Sequence, residues 1–336
     1  MATTVRETEQ KFDAAEHDVH QSGSSSTVAR LPGRPAPPVP DGRSTVGVAG
    51  LAYLSEQAQE IIRCDPLVRQ QAPDSVHRMR VAARRMRSTL QAYGKVIQPD
   101  RARWLIGELK WLGDVLGSTR DLEVLQERFE VATAALPVHE VAGPVRRRFT
   151  RYFARREATA ADEVRAALDD PRYLALLNEI DAVLTAPPLT RRGRRPARRE
   201  LPRLIRRVER KMLRRMRRAD QQPPGAARDA ALHEVRKAAK RLRYATEAAR
   251  PVIGKPARRF GKRVKAVVKL LGAHHDAVVA GPVLREIGLQ AHREGDNGYT
   301  YGLLHGQQRT EIHDAEHALP AAWRRLTARK SRRWLR

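Results

Sequence analysis

Two segments of the chain carry histidine, arginine and lysine at one shared spacing. VHRMRVAARRMRSTL, from Val76 to Leu90, aligns without gaps on LHEVRKAAKRLRYAT, from Leu232 to Thr246, at an offset of 156. On a helix turning about 100° per residue, His77, Arg80, Arg84 and Arg87 fall within an arc of about 80°. Met79, Ala82, Ala83, Met86, Leu90 and Tyr93 take the opposite side, the face an amphipathic helix turns to a core. His233, Arg236, Lys240 and Arg243 form the same stripe in the second segment, with Val235, Ala238, Ala239 and Leu242 facing away. From its first to its last residue the stripe is roughly 15 Å long at about 1.5 Å rise per residue, which suits several consecutive phosphates better than one small ligand. Guanidinium and ammonium groups in such a row offer charge-assisted hydrogen bonds to phosphate oxygens. Charged helix faces are ordinarily solvated and laced by i,i+4 pairs of opposite sign. These two stripes are nearly free of acids, with Glu234 and Glu247 off the line.

A second row follows each stripe. LGSTRDLEV from Leu116 aligns on LGAHHDAVV from Leu271, at an offset of 155. Arg103, Lys110, Gly117 and Asp121 are spaced 7, 7 and 4, which holds them within about 40° of one line on a helix. Arg258, Lys265, Gly272 and Asp276 repeat the row, with Lys262 and Lys269 beside them. A mid-helix glycine costs about 1 kcal/mol relative to alanine; its lack of a side chain lets a neighbouring helix or a ligand come close. Asp121 and Asp276, on otherwise basic faces, are expected to pair with an Arg or His and orient it. Arg120 stands where the second copy has His275, so a cationic or hydrogen-bonding group occupies both places. A third basic segment, Arg191 to Arg218, holds 15 Lys/Arg and two acids around a helical apolar face of Leu201, Leu204, Ile205, Val208, Met212, Leu213 and Met216. It reads as a bundle helix with a charged outer side, and non-specific nucleic-acid binding is the competing reading.

The histidines invite an enzyme hypothesis, because phosphoryl chemistry can use a nucleophilic imidazole. No orienting acid or second catalytic motif stands in recognisable spacing with His77 or His233, and a cationic surround favours the neutral ring, which binds phosphate oxygen without turnover. The expectation is therefore a binder, not an enzyme, with no cofactor. His274 and His275 are expected to extend the anion-binding row. His313 and His317, at i and i+4 near Glu316, have metal-ligand spacing but fit an exposed helical face better. The chain has no P-loop, no G-x-G-x-x-G and no H-E-x-x-H.

The elements that position these groups are helices. From Thr45 onward, long Ala/Leu/Val/Arg segments break at Pro or Gly and predict helices at about 46–64, 74–97, 101–135, 145–168, 171–185, 201–219, 227–250, 257–280 and 300–332. Asp74, Asp100 and Asp170 are expected N-caps, with Pro171 at a first helical position. Residues 22–44 hold five Pro, five Ser and three Gly without an apolar period, the composition of a disordered tail or linker. Residues 187–199 read as a connector. The paired segments in one order at nearly one offset predict a tandem duplication: a first bundle over about 45–186 and a second over about 200–336.

Composition bounds the function. The 336 residues include 65 Lys/Arg (Arg outnumbers Lys 54 to 11) against 38 Asp/Glu, a net charge of +27 that favours a polyanionic partner. At 41% hydrophobic residues the chain can build a core. The single cysteine, Cys64, excludes an internal disulfide framework and a Cys-based zinc module. The longest apolar run, Ala277 to Leu284, is interrupted by Gly281 and Pro282 and falls short of the roughly 18 residues of a membrane span. The acidic N-terminus has no signal-peptide core. The expectation is a cytoplasmic protein without a membrane partner.

The duplicated H-x-x-R-x-x-x-[RK]-x-x-R segment, followed each time by LG-x-x-x-D, resembles the CHAD family of histidine-containing α-helical domains, over about Thr45 to Arg336. The resemblance implies an all-α fold of two pseudo-symmetric four-helix bundles around a basic central groove. Family members bind inorganic polyphosphate, and some associate with polyphosphate granules. Carried onto this sequence, the anion-binding set is His77, Arg80, Arg84, Arg87, Arg103, Lys110 and Arg120 in the first half. In the second it is His233, Arg236, Lys240, Arg243, Arg258, Lys262, Lys265, Lys269 and His275. Nucleic acid is a secondary partner on this reading, and a phosphohydrolase or phosphotransferase is the remaining alternative. Glu7-Thr-Glu9-Gln-Lys11 is similar to the E-x-E-x-K opening of CYTH (triphosphate tunnel) enzymes, but the linker begins too soon for a tunnel, so it reads as a truncated remnant without activity or an ordinary acidic tail.

Overall fold

The computed structural model describes residues 39–336, which form eleven α-helices and no strand. Glu7, Glu9, Lys11 and most of the 1–44 segment lie outside the described residues. The helices are α1 (Val46–Arg69), α2 (Ser75–Tyr93), α3 (Pro99–Ala134), α4 (Val145–Asp169), α5 (Pro171–Thr185), α6 (Ala197–Asp220), α7 (Ala226–Ala248), the single turn α8 (Arg250–Ile253), α9 (Lys255–Arg293), α10 (Tyr299–Thr327) and the short α11 (Arg329–Arg332).

Side-chain caps open two of the helices, α1 and α5. Thr45 caps α1 by accepting from the Val48 N–H at 3.3 Å. Asp170 caps α5, accepting from the Arg172 N–H at 2.8 Å, with Pro171 in the first turn. Two expected caps are corrected. Asp74 precedes α2 in a left-handed conformation (φ 62°) and makes no side-chain cap bond, while Asp100 lies inside the first turn of α3, which opens at Pro99 after Gln98. Four prolines, Pro66, Pro202, Pro282 and Pro320, sit inside helices.

Helix α9 therefore runs past the Gly281–Pro282 break expected from sequence. The proline removes one backbone donor. Ala277, Ala280, Leu284, Ile287 and Ala291 are nonetheless all buried, so the apolar face continues through the break and packing outweighs the lost bond. The same helix contains a window apolar and long enough to cross a membrane by composition, of mean hydropathy 1.2, of which 44% is buried within the protein.

The longer helices pack in two series: α1 on α2, α2 on α3 and α3 on α4, then α6 on α7, α7 on α9 and α9 on α10. The two series meet where α2 packs on α7. One hydrophobic core draws Ile61, Met86, Leu109 and Leu176 from the first half together with Leu204, Leu242, Val264 and Leu326 from the second. A second core joins Phe129, Phe149 and Phe153 to Leu284, Ile287 and Tyr301, with the Phe129 and Phe149 rings 5.1 Å apart. Both cores thus take residues from both halves.

Residues 187–199 are tied to the first half by backbone hydrogen bonds. The Val46 and Gly47 N–H groups, two of the unpaired donors that open α1, donate to the Arg195 and Gly193 carbonyls at 2.9 and 2.8 Å. The Thr190 N–H donates to the Val96 carbonyl at 2.9 Å. A Cβ on Gly193 would stand 2.7 Å from that same carbonyl oxygen, so only glycine permits the approach.

Candidate anion-binding site

The packing of α2 on α7 brings the two stripes together. Arg84 Nε donates to the Tyr244 hydroxyl at 3.2 Å, from one half to the other. Arg80 donates to Asp121 at 2.9 Å, and Arg236 stands 3.4 Å from Asp276, so these two equivalent arginines meet equivalent aspartates of α3 and α9. Gly117 makes room for the Arg80 arm, whereas Gly272 leaves ordinary contact distance to Arg236. A Cβ on Gly117 would lie 3.3 Å from Arg80 Nη2, and one on Gly272 would lie 3.9 Å from Arg236 Nε.

The electrostatics record crowding of like charge. Burial, with Arg84 and Arg80 close by, holds Arg236 below the usual arginine range against the opposing pull of Asp276. Burial and the same two arginines lower Arg87 against the pull of Asp114. The Nε of Arg236 is buried and has no hydrogen-bond partner among the described residues. Buried donors are normally satisfied, and a phosphate oxygen would supply the missing acceptor.

His233 and His275 form a pair at one side of this cluster, Nδ1 to Nδ1 at 3.1 Å, with ring centroids 4.0 Å apart. Such a bond needs one protonated and one bare Nδ1. Burial, then Arg236, His233 and Lys240, pushes His275 down to about 3. Burial, Lys237, Arg236 and Lys240 also lower His233, with Glu234 opposing.

Other expected site residues take varied places. His77, Lys240 and Lys265 are half-buried, and Arg258, Lys262 and Lys269 are exposed. Lys110 is exposed and pairs with Asp114 of its own helix at 2.7 Å, while Arg120 pairs with Glu123 at 3.0 Å. Arg103 pairs with Asp100 and lines a cavity of about 340 Å³ together with Lys211 and Arg241. Arg243 is turned inward: its Nε donates to Glu247 at 2.9 Å, both side chains are 9% exposed, and Tyr53 donates to the same carboxylate at 3.2 Å. The cause is legible in the alignment, where Glu247 replaces Gln91 and gives Arg243 an i+4 partner that Arg87 lacks.

His274 does not extend the cationic row. It is buried, with Nε2 3.4 Å from Asp229 and 3.8 Å from Glu316. The His313 and His317 rings lie 4.2 Å apart on an exposed face, and no cluster of three or more ligand-type side chains suited to a metal occurs among the described residues. Cys64 is buried, and burial pushes its thiol up to about 12. Sequence reasoning missed Tyr244, whose place beside the stripe follows only from the α2–α7 packing, and Arg241, which flanks it.

The CHAD domain family model matches residues 52–285, a span holding both stripes and both glycine–aspartate rows. The chain belongs to the CHAD family. Two uncharacterized proteins of Mycobacterium tuberculosis, Rv2226 and MT2285, are each 34% identical over 314 residues, 93% of this chain. The chain spans only 60% of the length of those relatives. Among solved structures, the CHAD domain from the plant Ricinus communis superposes with a TM-score of 0.65 at 27% identity, covering 85% of this chain and 94% of that one. PptA from Streptomyces chartreusis superposes with a TM-score of 0.66 at 22% identity over 84% of this chain and 100% of that one, a likeness of fold.

Proposed function

We propose that this CHAD protein binds inorganic polyphosphate along a basic groove lined by α2 and α7 and by the rows on α3 and α9. The carrying observation is the convergence of Arg80, Arg84 and Arg236 from two helices of different halves, with the buried Nε of Arg236 lacking an acceptor among the described residues. A linear chain of phosphates presents oxygens at every unit, so one flexible molecule satisfies donors spread along a row. The halves descend from a tandem duplication on this reading. The equivalent Arg80–Asp121 and Arg236–Asp276 pairs, and the matching order of helix packing, support it.

The protein holds polyphosphate without turning it over, in the cytoplasm or at polyphosphate granules. Among the described residues His233 and His275 bond to each other rather than to a carboxylate that would activate either as a nucleophile, which favours binding over phosphoryl transfer. Competition at fixed ionic strength among long-chain polyphosphate, short-chain polyphosphate and duplex DNA tests the groove. Long chains should win per charge, and DNA displacing polyphosphate equally well per charge refutes it. Incubation with labelled polyphosphate should leave the label in intact chains; released phosphate or a phosphorylated product would make the protein an enzyme.

A further inference from the structure

We infer that the outward face of α6 is a second polyanion surface, separate from the groove, and that its partner is double-stranded nucleic acid. Arg199, Arg203, Arg206, Arg210, Arg214 and Arg217 succeed one another at intervals of 4, 3, 4, 4 and 3 residues, and all six are exposed. On a helix they fall within an arc of about 80° and run roughly 27 Å, close to one guanidinium per turn. The opposite face is fixed by burial of Leu201, Leu204, Ile205, Val208, Met212 and Met216.

The acids of this segment do not neutralise the row. Glu200 and Glu209 are each 1% exposed. Glu200 is held by Arg192 at 2.8 Å and Arg195 at 3.4 Å, and Glu209 by Arg332 at 2.6 Å. Among the described residues only Arg203 of the six holds an ion pair, with Glu200 at 3.2 Å. Beside the row, burial together with Arg241, Arg207, Arg214 and Arg215 lowers Lys211, a sign of uncompensated positive charge.

The form of the surface selects the polyanion. An exposed helix face offers a fixed line of cations, so a flexible chain must lose conformational freedom to follow it. A duplex is already stiff over about 50 nm and carries about one charge per 1.7 Å of axis, which places about 16 phosphates along 27 Å. Residues 191–218 contain no aromatic, so the stacking platform that single strands use is missing. The row also carries no exposed apolar side chain with which to enter a lipid surface. A protein with both surfaces would hold polyphosphate and nucleic acid at once.

The test is a double dissociation on the full chain, with a 30-base-pair DNA duplex and long-chain polyphosphate as probes. Arg206→Glu/Arg210→Glu/Arg214→Glu should weaken duplex binding at least about tenfold and reduce the slope of log affinity against log salt by about 3. Polyphosphate binding should stay within about twofold. Arg80→Ala/Arg236→Ala should leave duplex binding unchanged, so failure of the groove reading is scored separately. The milder Arg206→Gln/Arg210→Gln/Arg214→Gln repeats the test if charge reversal disturbs folding. Retained duplex affinity in both triple variants overturns the inference, as does equal loss of polyphosphate. Capture of phosphatidylserine vesicles by the wild type, abolished in the triple variant while duplex binding persists, overturns it in favour of a lipid surface.

Discussion

The guanidinium of Arg80 lies across Gly117, 3.3 Å from where a Cβ would stand, and reaches Asp121 at 2.9 Å. The glycine is buried in the middle of a 36-residue helix, where its backbone freedom has no local use. Its contribution is space for the arginine arm. Gly117→Ala should therefore have opposed effects. Helix propensity favours alanine by up to about 1 kcal/mol, so thermal denaturation should show equal or higher stability. Displacement of Arg80 should lower polyphosphate affinity severalfold in calorimetric titration, and unchanged affinity would remove Gly117 from the site.

The His233–His275 pair should give the proposed polyphosphate binding a pH dependence of definite sign. Both rings are held below their usual value in the free protein, His275 down to about 3. A polyanion laid beside them favours the charged form and raises both values. Affinity should then rise as pH falls from 8 to 5.5, with proton uptake on binding visible as buffer-dependent calorimetric enthalpy. His233→Asn/His275→Asn should flatten this dependence. Stability of the free protein moves the other way: the unfolded chain binds more protons than the folded one below about pH 6.5, so depressed histidines cost stability there.

Arg243 and Glu247 form a pair of a different kind from the stripe. Both side chains are 9% exposed, and the carboxylate also accepts from Tyr53. Breaking a buried pair from one side leaves an uncompensated charge, a loss of about 3 kcal/mol or more. Glu247→Gln should lower the urea midpoint accordingly while the remaining folded protein keeps its polyphosphate affinity. Loss of affinity without loss of stability would return Arg243 to the groove.

The second core anchors the far ends of α3 and α9. Phe149 is 1% exposed and contacts Phe129 and Tyr301 at ring distances of 5.1 and 5.7 Å. Phe149→Ala should cost about 3–5 kcal/mol in chemical denaturation. Amide exchange should accelerate first at the end of α3, in the first turns of α4 and α10 and in the last turns of α9. Uniform acceleration through α2 and α7 would show that the two cores unfold as one.

The sequence made the helices and the stripes legible because both depend on periodicity along a single element. Val76–Leu90 and Leu232–Thr246 announce an apolar and a cationic face without any knowledge of neighbours. Helix α9 was harder to read, since Pro282 is a local stop signal that only the packing of Leu284, Ile287 and Ala291 overrides. The place of His274 was hidden for the same reason: its partners, Asp229 and Glu316, arrive from other helices. The pairing of Asp121 and Asp276 with arginines was readable because an isolated acid on a basic face has few other uses. That Arg84 would meet Tyr244 depended on how α2 crosses α7, which no periodicity encodes.

On the proposed function, Arg80 and Arg236, brought together from two halves, hold a linear polyphosphate. The most direct test is calorimetric titration of long-chain polyphosphate into the wild type and into Arg80→Ala/Arg236→Ala at one ionic strength, with circular dichroism confirming the fold of each. The expected result is a loss of affinity of about tenfold or more in the double variant, with the helical signal unchanged. Equal affinity in the two proteins would show that these arginines do not hold polyphosphate.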